Sequence, residues 1–148
     1  MFEHILLPTD GSELSARAVK QTIKLAKAVK ARITALHVVR DYRAHGQEGY
    51  VMPELELMRK LFLEQAAVHA QKILGRVKKA ASAAGVKCGA VGAVGNSRYA
   101  IISKQAKASG CDLIMMATHG RRGVPRLLHG SEAAKVLTHS KIPVLVLY

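Results

Sequence analysis

Five short runs of mainly apolar residues recur along this chain of 148 residues, separated by stretches of helical periodicity, and this alternation constrains the fold more than any other feature. Phe2 to Pro8 (FEHILLP) carries Ile5, Leu6 and Leu7 in unbroken succession, as in a strand covered on both faces. Ile33 to Val39 (ITALHVV) is β-branched and apolar. Lys87 to Val94 is interrupted by Gly89 and Gly92, which suits an edge position. Cys111 to Ala117 and Val144 to Tyr148 complete the set.

The intervening stretches read as helices. From Ser12, a good N-cap, to about Val29, the apolar positions Leu14, Ala18, Ile23, Leu25 and Ala26 keep near-helical spacing. Arg17, Lys20, Lys24 and Lys27 share the opposite face, the pattern of a wet helix surface. A long helix is expected from Leu55 to about Ala84, with Met58, Leu61, Phe62, Ala66, His69, Ile73 and Val77 at threes and fours and Gly85 just past its end. Gly95-Asn96-Ser97 leads into a helix through Lys107, and a short one runs from Ser131 to about His139. Arg40 to Pro53, charged and holding Gly46 and Gly49, reads as a long loop.

The sum is β-α-β-α-β-α-β-α-β in one domain spanning residues 1–148. This is an α/β fold with a mostly parallel five-stranded sheet, helices on both faces and right-handed crossovers. Ligands of such sheets sit outside the carboxyl ends of strands, where strand order reverses. The ends of the first and fourth strands, Asp10 and Thr118-His119-Gly120, are the candidate cleft.

Lys plus Arg number 23 against 10 Asp plus Glu, a net charge of +13 that favours anionic partners without bearing on the fold. Aromatic residues are only 4%, so base-stacking platforms are scarce, and no nucleic-acid recognition motif accompanies the charge. Cys88 and Cys111, in strand-like settings, are expected as reduced thiols without metal-spacing partners. No signal-peptide pattern and no run of membrane-spanning length occur, which places the expectation on the cytoplasm. A P-loop, a dinucleotide fingerprint and a G-x-S-x-G elbow are all missing, and no paired carboxylates stand out as acid and base.

The stretch with chemical content runs from Leu113 to Ser131. A buried-strand run stops at Thr118-His119-Gly120, a loop with Arg121, Arg122 and Arg126 follows, and Gly130-Ser131 opens a helix. Strand, glycine-bearing loop and helix start together gather backbone N–H groups, which is how proteins hold phosphate. Arg121 and Arg122 suit bidentate contact with an anion or a solvated loop equally; Arg126, His119 and His129 read as solvent-facing. Asp10 either accepts N–H groups of its own turn or meets the ligand, and His37 reads as a satisfied core histidine. Ser131, His129 and Asp112 are triad residue types, but a serine at a helix start is ordinary capping.

Five stretches in order resemble the universal stress protein family over essentially the whole chain: HILLPTDGS, the Leu36-His37-Val38 strand end, DLIMMATHGRRG from Asp112, Gly130-Ser131, and the closing KIPVLVLY. The nucleotide-binding branch carries G-x2-G-x9-G-[ST]; here Ala117, Gly120 and Gly130-Ser131 stand at those positions. The resemblance implies strand order 3-2-1-4-5, a homodimer built partly on the last strand, and bound ATP or AMP, with any Mg held mainly by the phosphates. It places Pro8, Thr9, Asp10 and Val38 at the adenosine end, and Met116, Ala117 and Gly120 under the ribose and phosphates. Gly130 and Ser131 would donate to phosphate, with Arg121, Arg122 and Glu132 beside them. Two positions matter physically. If the site of Ala117 needs positive φ, its methyl group is costly; if it ends a strand, alanine costs little. Glu132, at a helix start, would favour that helix and there repel or replace a phosphate. The expected function is an adenine-nucleotide-binding regulatory protein of the stress response. A dimeric scaffold acting by protein contact is the alternative, and a slow ATPase comes last because no residue is evidently positioned to activate water.

Overall fold

In the computed structural model, residues 1–41, 53–118 and 132–148 are described. Five strands form one parallel sheet in the order β3-β2-β1-β4-β5. The strands are β1 (His4–Pro8), β2 (Arg32–Val39), β3 (Cys88–Val94), β4 (Leu113–Ala117) and β5 (Val144–Leu147). The helices are α1 (Glu13–Val29), α2 (Pro53–Ala83), α3 (Arg98–Ala108) and α4 (Glu132–His139). The glycine-broken third run is an edge strand, as its sequence requires.

The unbroken Ile5-Leu6-Leu7 run lies in the middle strand, and all three side chains have no solvent exposure. Alternation along the strand divides them between two cores. Ile5 and Leu7 pack with Ala18, Ile23 and Ala26 of α1 and Leu74, Val77 and Ala81 of α2. Leu6 packs with Ile102 and Ala106 of α3 and Ala133 and Val136 of α4. The chain thus winds toward β3 on one face and toward β5 on the other, and the order reverses between β1 and β4.

α1 begins as its sequence prescribes: Ser12 is extended (φ −69°, ψ 165°) and its hydroxyl accepts the Ser15 N–H at 3.1 Å. β1 and β4 each start two residues later than their apolar runs suggest, at His4 rather than Phe2 and at Leu113 rather than Cys111. The Asp112 carboxylate accounts for both. It accepts the Glu3 N–H at 2.8 Å and the His4 N–H at 3.0 Å, so a side chain stands where the ladder would otherwise extend.

Candidate functional site

A cleft of about 290 Å³ opens at the carboxyl ends of β1, β2 and β4, on the face covered by α3 and α4, where strand order reverses. Pro8, Thr9 and Asp10 line it from β1, Val38 from β2, Met116 and Ala117 from β4, and Glu132 from α4. The fold therefore brings together these seven positions singled out by sequence, with Thr118 beside them; Gly120, Arg121, Arg122, Gly130 and Ser131 lie outside the described residues, as does the Arg40–Pro53 loop between its end residues Arg40, Asp41 and Pro53.

The β1–α1 turn is tied down by hydrogen bonds. Thr9 N–H donates to the Leu36 carbonyl at 2.9 Å, tying the turn to β2. Thr9 Oγ1 donates to Ser15 Oγ at 3.1 Å, and Asp10 N–H donates to the same oxygen at 3.2 Å. Gly11 has φ +79°, and a Cβ there would stand 2.9 Å from the Ile73 side chain of α2, so only glycine fits both the backbone and the packing. Asp10 serves its turn, accepting the Ser12 N–H on Oδ1 at 2.9 Å, while also lining the cleft. Partial burial works to raise its pKa. The hydrogen bonds from Ser12 and Ser15 and the charge of Arg98 outweigh that and hold its carboxyl below the usual range.

Ala117 lies in β4, in register with Leu147. Among the described residues Lys30 is the one non-glycine position with positive φ, so the backbone at Ala117 is an ordinary one for alanine. The methyl group at the first motif position carries no conformational strain.

Glu132 stands in the first turn of α4, as its position suggests, and also serves a second helix. Its Oε2 accepts the Tyr99 N–H at 3.1 Å, in the first turn of α3, where Ser97 supplies no side-chain cap. Its Oε1 lies 3.4 Å from Lys135 Nζ. A carboxylate of the protein thus satisfies an α3 amide at the cleft wall.

His37 departs from its expected role. It is half-buried at the cleft rather than in the core, and its Nδ1 donates to the Thr9 carbonyl at 2.8 Å. A carbonyl can only accept, so this bond fixes the proton on Nδ1 and leaves Nε2 as the acceptor in the neutral ring. The ring meets His69 edge-on at 6.4 Å. Among the described residues the buried histidine is His4, whose Nε2 pairs with Thr34 Oγ1 at 2.8 Å at the opposite end of the sheet.

Sequence reading missed Ser15, Arg98, Ile102 and Ala133 as cleft residues, while Thr118 lines the cleft as its strand-end position suggests. Arg98 follows the Gly95-Asn96 strand end, but only the crossover of the chain beneath β1 and β4 carries it to the same opening. Cys111 is buried, and burial with the neighbouring Asp112 charge pushes its thiol up to about 11, which rules out a reactive thiolate at neutral pH. Among the described residues no group of three or more potential metal ligands is found.

A parallel five-stranded sheet wound on both faces, with a partly polar cleft at its topological switch point, defines the class: a small, doubly wound α/β protein. The profile of the Universal stress protein family matches residues 1–147, and the chain belongs to that family. It is 34% identical over 148 residues to Universal stress protein MJ0531 of Methanocaldococcus jannaschii, covering 99% of this chain and 82% of that one. It is 30% identical to Universal stress protein YxiE of Bacillus subtilis over 148 residues, 99% of each chain. A universal stress protein solved in complex with cAMP shares the fold with a TM-score of 0.71 at 23% identity, over 99% of this chain and 97% of that one. An Arabidopsis thaliana family protein solved with AMP bound shares it with a TM-score of 0.65 at 17% identity, over 98% and 90%. At these identities the two structures establish the shared α/β fold.

Proposed function

We propose that this universal stress protein binds an adenine nucleotide, ATP or AMP, in the cleft between the ends of β1 and β4, and acts as a nucleotide-responsive regulatory protein of the stress response. The observation that carries the reading is the convergence of Pro8, Thr9, Asp10, Val38, Met116 and Ala117, far apart in sequence, on one opening at the switch point. Val38, Met116 and Ile102 offer apolar walls suited to a purine, while Asp10 offers a carboxylate suited to ribose hydroxyls. Two proteins of this fold carry cAMP or AMP, consistent with a ligand of this class. The Gly120 and Gly130-Ser131 amides would take the phosphates, and Mg, where bound, would ride on the phosphates.

The same reading makes the protein a cytoplasmic homodimer through β5. Among the described residues one edge of that strand is unpaired, with Leu145 41% exposed and Tyr148, just past its end, 73% exposed. No described helix is long and apolar enough to cross a membrane.

The test is to denature the purified protein, analyse the supernatant for adenine nucleotide by chromatography, and titrate nucleotide-free protein with AMP and Mg-ATP by calorimetry. Saturable binding with one site per chain is expected. An empty supernatant together with no heat for either nucleotide would instead favour a scaffold acting through protein contacts.

A further inference from the structure

A second opening lies across the β1–α1 turn from the cleft, on the other face of the sheet. It is a groove of about 460 Å³ between α1 and α2. Its floor is aliphatic: Val19 and Ile23 from α1, Ile73 and Val77 from α2. The small side chains of Ala16 and Ala80, both exposed, leave it open to solvent. Its rim carries Lys20, Lys24 and Arg76, all exposed. No acidic residue lines it, and none of the three cations has an ion-pair partner among the described residues. The nearest acid of α1, Glu13, faces Arg17 at 3.8 Å.

We propose that this groove binds an anionic amphiphile of the fatty-acid class, its hydrocarbon tail along Val19, Ile23, Ile73 and Val77 and its carboxylate among Lys20, Lys24 and Arg76. Charge complementarity selects the sign of the head group, and the aliphatic floor selects the tail. The floor offers side chains without hydrogen-bonding groups, so a hydrocarbon is satisfied there where a sugar or a peptide backbone would be stripped of water without replacement. A nucleic-acid backbone would use the cations and gain nothing from the floor. The groove and its occupant stand independently of the nucleotide cleft; Thr9 lines both, as the wall between them.

The experiment titrates dodecanoate, kept below its micelle-forming concentration, into the full chain, with calorimetry for affinity and amide chemical shifts for location. Saturable binding is expected, with shifts concentrated at residues 16–24 and 73–80. Decanoate should bind more weakly by about fourfold for each methylene removed. Each of Lys20→Glu, Lys24→Glu and Arg76→Glu should weaken binding by about two- to fivefold. Ala80→Phe should abolish binding by filling the groove, and its circular dichroism melt, matching the parent, would exclude unfolding as the cause. Dodecyltrimethylammonium, with the same tail and the opposite charge, should not bind. The proposal is overturned if dodecanoate gives no saturable binding, if the cationic amphiphile binds equally, or if the shifts concentrate at residues 98–102 and 132–133. Association only with phosphatidylglycerol vesicles or with polyuridylate would overturn it too, by assigning the cations to an extended anionic surface.

Discussion

The two ends of the same parallel sheet are built on opposite plans. At the amino end, polar side chains bond the starts of the strands. The Asp112 carboxylate accepts two backbone N–H groups from the start of β1, His4 is tied to Thr34, and Arg32 N–H donates to the Glu3 carbonyl at 3.0 Å. At the carboxyl end the strands diverge around a cleft whose charged groups, Asp10, Arg98 and Glu132, stand on its walls. Even there the placement is fixed rather than loose, because Asp10 is anchored by Ser12 and Glu132 by the first turn of α3. A parallel sheet leaves unpaired backbone groups at both ends. The starts of β1 and β4 are closed by the Asp112 side chain, and the carboxyl ends of β1 and β4 border an open cleft.

The largest effect expected from breaking this contrast is at the open end. Val38→Trp should fill the cleft and weaken nucleotide binding at least about hundredfold, roughly 2.7 kcal/mol, in calorimetric titration. Its unfolding midpoint should shift little, since the added ring has the cleft to enter. Parent-like nucleotide affinity in this variant would place the ligand elsewhere.

Asp112→Ala tests the closed end. Losing a carboxylate that accepts two backbone N–H groups should lower the unfolding free energy by about 1–3 kcal/mol in urea titrations, with nucleotide affinity of the folded protein unchanged. A matching fall in affinity would show that the two ends are coupled rather than independent.

The pH dependence separates the ends more finely. Burial, aided by the Arg32 charge, lowers the His4 pKa below 6.5, outweighing the opposing pull of Asp112. As pH falls below 6.5 the unfolded chain takes up a proton that the folded chain refuses, so stability is full above that value and declines as pH falls through the folded pKa. Asp10 and Asp112, held below 3.8, add a second decline only under more acidic conditions. His4→Gln should flatten the slope of unfolding free energy between pH 7 and 5, as judged from urea curves; an unchanged slope would assign it to other histidines.

The smallest effect is expected from Ala117→Gly, which restores the first glycine of the family motif. With ordinary strand geometry at this position, the change should cost about 0.5–1 kcal/mol of stability and leave nucleotide affinity within about twofold. A tenfold gain in affinity would show instead that the methyl group obstructs the ligand.

Much of this was legible residue by residue. The continuous Ile5-Leu6-Leu7 run marked a central strand, Gly89 and Gly92 marked an edge strand, and Ser12 capped α1, because burial on both faces, weakened strand propensity and helix capping are each local consequences of side-chain type. Strand ends and motif spacing are local too, and the Pro8, Asp10 and Ala117 positions they single out line one cleft. The cleft position of His37 and the second helix served by Glu132 were not foreseen, for one shared reason. An apolar strand suggests a core position for its histidine, and a helix start suggests that its acid serves that helix. Which carbonyl the ring meets, and which helix the carboxylate caps, depends on residues 28 and 33 positions away.

The sequence by itself determined the elements, their alternation and hence the parallel sheet, since periodicity and capping act over a few residues. It also carried the motif positions at the strand ends. The tertiary structure alone decided that Arg98 joins Asp10 at one opening, that Glu132 satisfies α3, and that Lys20, Lys24 and Arg76 rim a single groove. Those pairings arise where helices from separate crossovers are laid side by side on the sheet, and no local pattern in the chain records which surfaces will then face each other.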